Sequence, residues 1–146
     1  MDRLEENKQT VARFWAAFSA CRVDDVLDLL DDDATWWVAG DLPMVSGTLT
    51  KDQCGPMIAG IASGTRDGVH VTPGVMTAED DRVAMEATSR GVTLDGIEYR
   101  NTYHMLHVVR EGKILSVREY MDPSRIAAAF PAFAEKRDAV DAGIDG

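Results

Sequence analysis

The chain has 146 residues, of which 45% are apolar, and a formal net charge of -10 at pH 7. A chain of this length buries about 70% of its unfolded surface, which predicts a single domain over residues 1–146. Nucleic acid and anionic lipid bind clustered Lys and Arg side chains, so the negative charge excludes both as expected partners.

The cysteines and the apolar runs indicate where the protein works. Cys21 and Cys54 lie far apart and fit neither a CxxC motif nor a disulfide framework, which predicts free thiols in a reducing compartment. No basic segment precedes an apolar stretch, and no apolar run approaches the roughly 20 residues that span a membrane. We therefore expect a cytoplasmic protein.

Two amphipathic helices are predicted first. The first covers residues 4–20, with a stripe of apolar side chains formed by Leu4, Val11, Phe14, Trp15 and Phe18. The second begins near Val23, because the acidic residues that follow favour a helix N-terminus. The run Asp31, Asp32 and Asp33 is expected to end this helix and to face solvent.

A strand and a third helix are predicted next. The segment ATWWVAG, residues 34–40, is rich in β-branched and aromatic residues and favours a strand with Trp36 and Val38 on one face and Trp37 on the other, where it could pack in a subunit interface. Turn residues continue to residue 47. Thr50 and Gln53 then form a capping box that predicts a helix ending near residue 64.

In the second half of the chain, apolar and polar residues alternate with a period of two. Alternating residues predict strands near 69–77, 82–90, 96–109 and 113–121, separated by short turns, which is an antiparallel meander. The tail, residues 123–146, has helical character, and Pro131 is expected to kink or split it. This order of elements predicts an α+β fold in which helices cover one face of a curved sheet and enclose a cavity.

The turn VREGKI sets how the last two strands pair. A three-residue loop places Val109 opposite Lys113 and Glu119 opposite Tyr103, whereas a two-residue turn would shift the register by one and place His104 opposite Glu119. Gly112 favours the three-residue loop. The face that then lines the cavity carries Asn101, Tyr103, Met105, His107, Leu115, Val117, Glu119 and Met121.

Glu119 is the candidate catalytic residue. Among apolar side chains, desolvation would raise the pKa of its carboxyl group and let it give or take a proton near neutrality. Tyr103 and Asn101 would orient a polar group of the ligand or stabilise charge that develops on its oxygen. The alternative is that Glu119 faces outward, or bonds to Tyr103 and only closes a pocket.

The other candidates are ligand-binding residues. Side chains expected to line the cavity are Phe14, Trp15, Phe18, Trp36, Val38, Met57, Met85, Met105, His107, Val117 and Met121. His104 and His107 are three residues apart on a strand and therefore point to opposite faces, so no metal site is predicted. Ile126, Phe130 and Phe133 in the tail could close the mouth of this cavity or of a neighbour's.

Three stretches, TWWVAGDLPMVSGTLTKDQ, GIEYRNTYH and REGKILSVREYMDP, resemble the SnoaL-like, ketosteroid isomerase-related branch of the NTF2-like superfamily. The resemblance covers about residues 5–123. It implies a cone-shaped curved antiparallel sheet, covered on its concave face by the three helices of the N-terminal half, and a dimer. It also implies an apolar pocket, which isomerases, cyclases, dehydratases, epoxide hydrolases and proteins without catalytic activity all use.

The resemblance also limits the reaction. Phe14, Val38 and Met105 stand where ketosteroid isomerase has a tyrosine and two aspartates, so that enzyme's mechanism is not expected. Limonene-epoxide-hydrolase relatives use an Asp, Arg, Asp set, of which this chain offers only the carboxyl group of Glu119. Phenazine-pathway condensation proteins share the REY stretch and use its glutamate as an acid, and polyketide cyclases of the SnoaL type place an acidic residue in the pocket.

The predicted function is therefore a small enzyme without a cofactor. It binds a hydrophobic, cyclic metabolite as a homodimer and uses Glu119 for acid–base catalysis of isomerase, cyclase or dehydratase type. One alternative is a non-catalytic ligand-binding or oligomerisation module, and a further alternative is an epoxide hydrolase-like enzyme.

Overall fold

The structure, a computed structural model, describes residues 2–135. Its elements in chain order are α1 (Arg3–Ser19), α2 (Val23–Leu29), β1 (Leu30–Val38), β2 (Gly47–Thr50), α3 (Lys51–Gly64), β3 (Thr65–Glu79), β4 (Arg82–Thr93), β5 (Glu98–Arg110), β6 (Lys113–Met121), α4 (Pro123–Ala129) and a 3-10 helix (Pro131–Phe133). The α+β class is as predicted, and the order of elements agrees with the prediction except for the short strand β2, which was not predicted.

The six strands form one curved sheet in the order β2-β1-β6-β5-β4-β3. Strands β3 to β6 are the predicted antiparallel meander. Strand β1 pairs with β6 in parallel, so the sheet is mixed. Helices α1 and α3 pack against β3, and α3 also packs against β1, so that helices cover the concave face.

Strand β1 begins earlier than the sequence predicts. It starts at Leu30, so Asp31–Asp33 lie in the strand and do not end α2, which corrects that prediction. Leu30 and Ala34 are buried, and the carboxylate of Asp31 accepts a hydrogen bond from Arg110 at 3.1 Å. Packing of the buried residues and pairing of the carboxylate offset the low strand propensity of aspartate.

The two ends of the loop between β1 and β2 also differ from the prediction. Strand β1 stops at Val38, two residues before Gly40, and Gly47 begins β2 where a turn was predicted. Gly40 has a φ of +96°, and a Cβ atom there would lie 2.6 Å from Pro123. Only glycine fits this position, because the chain passes so close to the start of α4.

The last hairpin has a two-residue turn, so the predicted three-residue loop is wrong. Arg110 pairs with Lys113, and a register shift after Val109 leaves Leu115 in a bulge. Glu119 therefore pairs with Met105, two residues away from the predicted partner. Two one-residue shifts preserve the alternation of a strand, so Glu119 still belongs to the concave face.

The hairpin turn gives a prediction about stability. Glu111 and Gly112 both have positive φ, +52° and +75°, which is the geometry of a type I′ turn. Asparagine tolerates this region better than glutamate, so Glu111→Asn should raise the free energy of unfolding by roughly 0.5–1 kcal/mol. Urea denaturation measures the change, with Glu111→Gln as the control that removes the charge alone. A destabilised Asn variant would contradict the argument.

An aromatic cluster joins α1 to β1. The ring of Trp36 lies 5.5 Å from Phe14, 5.4 Å from Trp15 and 5.9 Å from Phe18, measured between ring centroids. All four side chains are buried. Leu4 was predicted in the same stripe but is 37% exposed, because it lies in the first turn of α1, beyond the edge of this cluster.

The boundaries of α3 and of the tail follow their sequence signals. The capping box of Thr50 and Gln53 is present, and α3 runs to Gly64. Pro131 divides the tail as predicted, because α4 ends at Ala129 and the 3-10 helix begins at the proline. The predicted tail continues to residue 146, and its part from 136 onward lies outside the described residues.

Candidate active site

A cavity of about 440 Å³ lies between the sheet and the helices. Its wall is formed by Trp15, Phe18, Trp36, Val38, Met44, Val45, Leu49, Pro56, Met57, Gly60, Ile61, Gly64, Val69, Val71, Tyr99, Tyr103, Glu119, Ile126, Phe130 and Phe133. Met44 is 54% exposed, so the cavity reaches the surface beside the loop between β1 and β2. Ligand pockets in proteins commonly have volumes of about 300–1,000 Å³ and mainly apolar walls.

The structure divides the predicted site residues into two groups. Those in the cavity wall are Glu119, Tyr103, Trp15, Phe18, Trp36, Val38 and Met57. Those outside the wall are Asn101, Phe14, Met85, Met105, His107, Val117 and Met121. Most of the second group are fully buried in the core, because the same strand face that reaches the cavity at one end is covered by α1 at the other.

Glu119 is the one acidic side chain among the described residues of the wall. Trp36 Nε1 donates a hydrogen bond to its Oε1 at 3.1 Å, and the described residues provide no partner for Oε2. Burial raises the pKa of Glu119 to about 7, although the Trp36 hydrogen bond acts in the opposite direction. The carboxyl group is therefore divided between its acidic and basic forms near neutral pH.

The neighbours of Glu119 in the sheet are apolar. Val38 on β1 and Met105 on β5 are its direct partners in the strand register. The carboxyl group of this chain thus lies on the strand between them.

Tyrosine hydroxyl groups form the second polar feature of the wall. The hydroxyl of Tyr103 lies 2.7 Å from Ser89 Oγ and 2.8 Å from the hydroxyl of Tyr99. Burial raises the pKa of both tyrosines, and the nearby charge of Glu119 acts in the same direction. Both phenols therefore remain protonated hydrogen-bond donors well above neutral pH.

Asn101 supports this pair from outside the wall. Its Nδ2 donates to the hydroxyl of Tyr99 at 2.9 Å and to the backbone oxygen of Asp122 at 3.0 Å. Its Oδ1 accepts from the backbone nitrogens of Thr102 and Asp122. Asn101 joins β5 to the end of β6 and orients Tyr99, and it does not reach the cavity.

His107 lies behind Trp15. Trp15 Nε1 donates to His107 Nε2 at 2.9 Å, and the other ring nitrogen lies 3.0 Å from the backbone oxygen of Val83. The indole can only donate, so Nδ1 must carry the proton of a neutral imidazole. Burial lowers the pKa of His107 to about 4, which makes this histidine a structural residue that fixes the Trp15 ring.

The C-terminal segment covers the cavity of its own chain. Ile126, Phe130 and Phe133 all lie in the wall. The ring of Phe130 packs on Tyr99 with centroids 5.6 Å apart, and the backbone nitrogen of Met44 donates to the oxygen of Phe133 at 3.2 Å. Of the two predicted placements of this segment, the described residues show the one within the chain.

Residues 2–135 contain neither a cluster of metal ligands nor a helix that could span a membrane. No group of three or more His, Cys, Asp or Glu side chains in this part of the chain could hold a metal ion. None of the helices between these residues is both long enough and apolar enough to cross a membrane.

A family model described as a SnoaL-like domain matches residues 11–117, which is more than half of the chain. The chain belongs to the SnoaL-like domain family. No curated protein gives a significant match to the sequence.

Solved structures share the fold of this SnoaL-like domain. An NTF2-like protein from Burkholderia xenovorans LB400 has a TM-score of 0.69 at 24% identity, over 86% of this chain and 96% of that chain. A Catenulispora acidiphila protein with a ketosteroid isomerase-like fold, in complex with trimethylamine, has 0.72 at 21%, over 88% and 97%. PrhC from Penicillium brasilianum has 0.78 at 13%, over 88% and 87%. These low identities show the fold alone.

Sequence reasoning missed several wall residues of the SnoaL-like domain. Tyr99 is the most important, and the alternation of β5 could have found it, since it shares a face with Asn101 and Tyr103. Met44 and Val45 lie in a loop that carries no periodic signal. Residues of this second kind can be assigned only when the path of the chain is known.

The three tryptophans allow the two buried titrations of this SnoaL-like domain to be measured. The indole N–H signal of Trp36 should shift with an apparent pKa of about 7, because it bonds to Glu119. The signal of Trp15 should shift only near pH 4, when His107 is protonated. Heteronuclear NMR over pH 3.5–9 gives both curves, with Trp37 as the control outside the cavity. A Trp36 midpoint near 4.5 would contradict the assigned environment of Glu119.

Proposed function

We propose that this SnoaL-like domain is a small enzyme without a cofactor that binds a hydrophobic, cyclic metabolite in its cavity. Glu119 transfers protons in a reaction of isomerase, cyclase or dehydratase type. The observation that carries the proposal is the position of Glu119, the one carboxyl group among the described residues of an apolar wall, where burial raises its pKa to about 7. A group that titrates near the working pH is the most effective general acid or base.

The contacts of Glu119 support a role in proton transfer. Its Oε1 is held by Trp36, which fixes the direction of the carboxyl group, while Oε2 has no protein partner among the described residues. The carboxyl plane is thus oriented by an indole that cannot itself accept or supply a proton. A bound ligand would meet the free oxygen, and the apolar wall would exclude competing water.

The tyrosines would assist by holding a polar group of the ligand. Tyr103 and Tyr99 are in the wall and can donate to an oxygen on which negative charge develops during proton transfer. Asn101 would act as a positioning residue, because it touches Tyr99 and not the cavity. This extends the predicted set of Glu119, Tyr103 and Asn101 by one residue.

The named alternatives require features that the site offers only in part. The Asp, Arg, Asp set of epoxide hydrolases has no arginine to match it among the described wall residues. The ketosteroid isomerase positions hold Phe14, Val38 and Met105, none of which can exchange a proton. A non-catalytic binding module would use the same cavity, and the carboxyl group of Glu119 would then have no catalytic role.

Association into a homodimer is part of the proposal. On the outer face of the sheet, the Arg118 guanidinium lies 4.3 Å above the Trp37 ring, and Tyr120 is 42% exposed beside it. Arg, Trp and Tyr are the residues most enriched at the energetic centres of protein interfaces. Sedimentation velocity of the purified protein would give twice the chain mass of 16.0 kDa.

The proposed function is tested by measuring hydrogen exchange, which does not require the product to be known. Uncharged terpenoid, aromatic and polyketide-like compounds are incubated with the protein in D2O, and mass spectrometry detects both conversion and deuterium uptake into recovered compound. An enzyme of the proposed type exchanges carbon-bound hydrogen of at least one compound. Binding of compounds without exchange or conversion of any would favour the module instead.

A further inference from the structure

Three hydroxyl groups, those of Ser89, Tyr99 and Tyr103, form a cluster at the cavity that has more O–H hydrogens than hydrogen-bonded contacts. Tyr99, Tyr103 and Ser89 supply three O–H hydrogens. The cluster contains two contacts between hydroxyl oxygens, Ser89 with Tyr103 and Tyr99 with Tyr103. Each contact uses one hydrogen, so one O–H has no acceptor within hydrogen-bond geometry among the described residues. Ser89 also approaches the Tyr99 hydroxyl, but the two groups do not meet that geometry.

Asn101 cannot accept the remaining hydrogen. Its Nδ2 is a donor, and both hydrogens are used, on Tyr99 and on the backbone oxygen of Asp122. Its Oδ1 already accepts from two backbone nitrogens. Asn101 therefore provides no acceptor for the third O–H.

The remaining hydrogen can be assigned to the cavity. Ser89 is 6% exposed and is not in the wall, so a free donor there would be buried without a partner at a cost of about 1–3 kcal/mol. Tyr99 and Tyr103 are both in the wall. In either low-energy arrangement Ser89 donates to Tyr103, and one of the two tyrosines directs its O–H into the cavity.

We propose that Tyr99 and Tyr103 form a subsite that binds a hydrogen-bond-accepting oxygen, such as a carbonyl oxygen, of an uncharged hydrophobic ligand. The subsite rests on ligand binding in the proposed function, and it does not require Glu119 to catalyse a reaction. The ligand expected at this subsite has an apolar body and an acceptor oxygen near the Tyr99 end of the cavity.

This subsite differs from the one that the family resemblance implies. The aligned positions of the ketosteroid isomerase donors are Phe14 on α1 and Met105 on β5, which have no polar hydrogen. Here the donors, Tyr99 and Tyr103, lie six and two positions before Met105 on β5, and Tyr99 packs beside Phe130 of the tail. An acceptor oxygen would therefore lie under the C-terminal segment.

The position of Glu119 agrees with a ligand that spans both groups. Tyr103 pairs with Met121 and Glu119 pairs with Met105, so Tyr103 and Glu119 are diagonal neighbours on adjacent strands. Diagonal neighbours lie about 7–8 Å apart. A molecule that accepts a hydrogen bond from a tyrosine can thus present a nearby atom to Glu119.

The test compares 2-acetylnaphthalene with 2-ethylnaphthalene, which has the same ring system without the carbonyl. Titration calorimetry at pH 9 is the measurement, because Glu119 is then ionised and cannot donate to the ketone, whereas the tyrosines keep their protons. In the double variant Tyr99→Phe with Tyr103→Phe, the affinity for the ketone should fall at least about fivefold, and that for the hydrocarbon should not fall. Tyr120→Phe removes an exposed phenol and is the matched control.

A measurement on the unmodified protein covers the case in which the double variant does not fold. The infrared carbonyl stretch of bound 2-acetylnaphthalene should lie below its value in hydrocarbon solvent, as hydrogen bonding requires. An unshifted stretch, no binding of the ketone, or equal changes in affinity for both compounds would overturn the subsite. Deuterium exchange that depends on Glu119 could still be found in that case, so the two proposals fail separately.

Discussion

Glu119→Gln is expected to lower the rate of deuterium exchange or conversion by about 100-fold to 10,000-fold, with little change in ligand affinity. Glutamine has the size of glutamate and its side-chain oxygen can still accept the hydrogen bond from Trp36. It cannot give or take a proton. The rate is measured with whichever compound the D2O experiment identifies, and affinity by calorimetry.

The matched control is Glu86→Gln, which changes an exposed carboxyl group on β4. It should leave the rate unaltered. The pH profile separates the two roles that Glu119 could have, since a base becomes active as the pH rises through about 7 and an acid becomes inactive over the same interval. An unchanged rate in Glu119→Gln would remove the catalytic role and leave the cavity as a binding site.

Glu119 and His107 are expected to affect stability in opposite directions as the pH changes. Burial raises the pKa of Glu119 from 4.5 to about 7, so its stabilising contribution is complete below pH 4.5 and is lost as the pH rises to about 7. Burial lowers the pKa of His107 from 6.5 to about 4, so its contribution is complete above pH 6.5 and is lost as the pH falls to about 4. Each corresponds to about 3 kcal/mol.

Between about pH 4.5 and 6.5 the pH dependences of these two contributions cancel, because folding releases one proton at His107 and takes up one at Glu119. A variant that lacks one of the two groups should therefore show the pH dependence of stability that the other group causes. Glu119→Gln should gain stability relative to the wild type as the pH rises, by about 3 kcal/mol at pH 8 and by little at pH 4.5. His107→Gln, which can still bond to Trp15 and Val83, should show the opposite slope.

Urea denaturation at pH 4.5, 6 and 8 measures these differences. The carboxylates of Asp31, Glu98 and Asp122, whose pKa values are lowered by their hydrogen bonds, are present in every variant, so their effects cancel in the comparison. Glu86→Gln again serves as the control. A constant difference between Glu119→Gln and the wild type across this range would show that the carboxyl group titrates normally in the folded protein.

The inward position of Glu119 could be predicted because it depends only on the alternation of side chains between the two faces of β6. The predicted loop was one residue too long, and the bulge at Leu115 was not foreseen, so the partner of Glu119 became Met105 and not Tyr103. The two errors compensate, since each moves the register by one residue in the same direction. The hydrogen bond between Tyr103 and Glu119 that was one alternative is replaced by the bond from Trp36.

Local patterns in the chain determined the helical stripe of α1, the capping box of α3, the four-strand meander and the division of the tail at Pro131, because each depends on residues a few positions apart. Only the tertiary structure decided that β1 pairs with β6 in parallel and that Tyr99 contacts Phe130. Both contacts join segments distant along the chain. Their geometry follows from packing and loop closure, which no local period records.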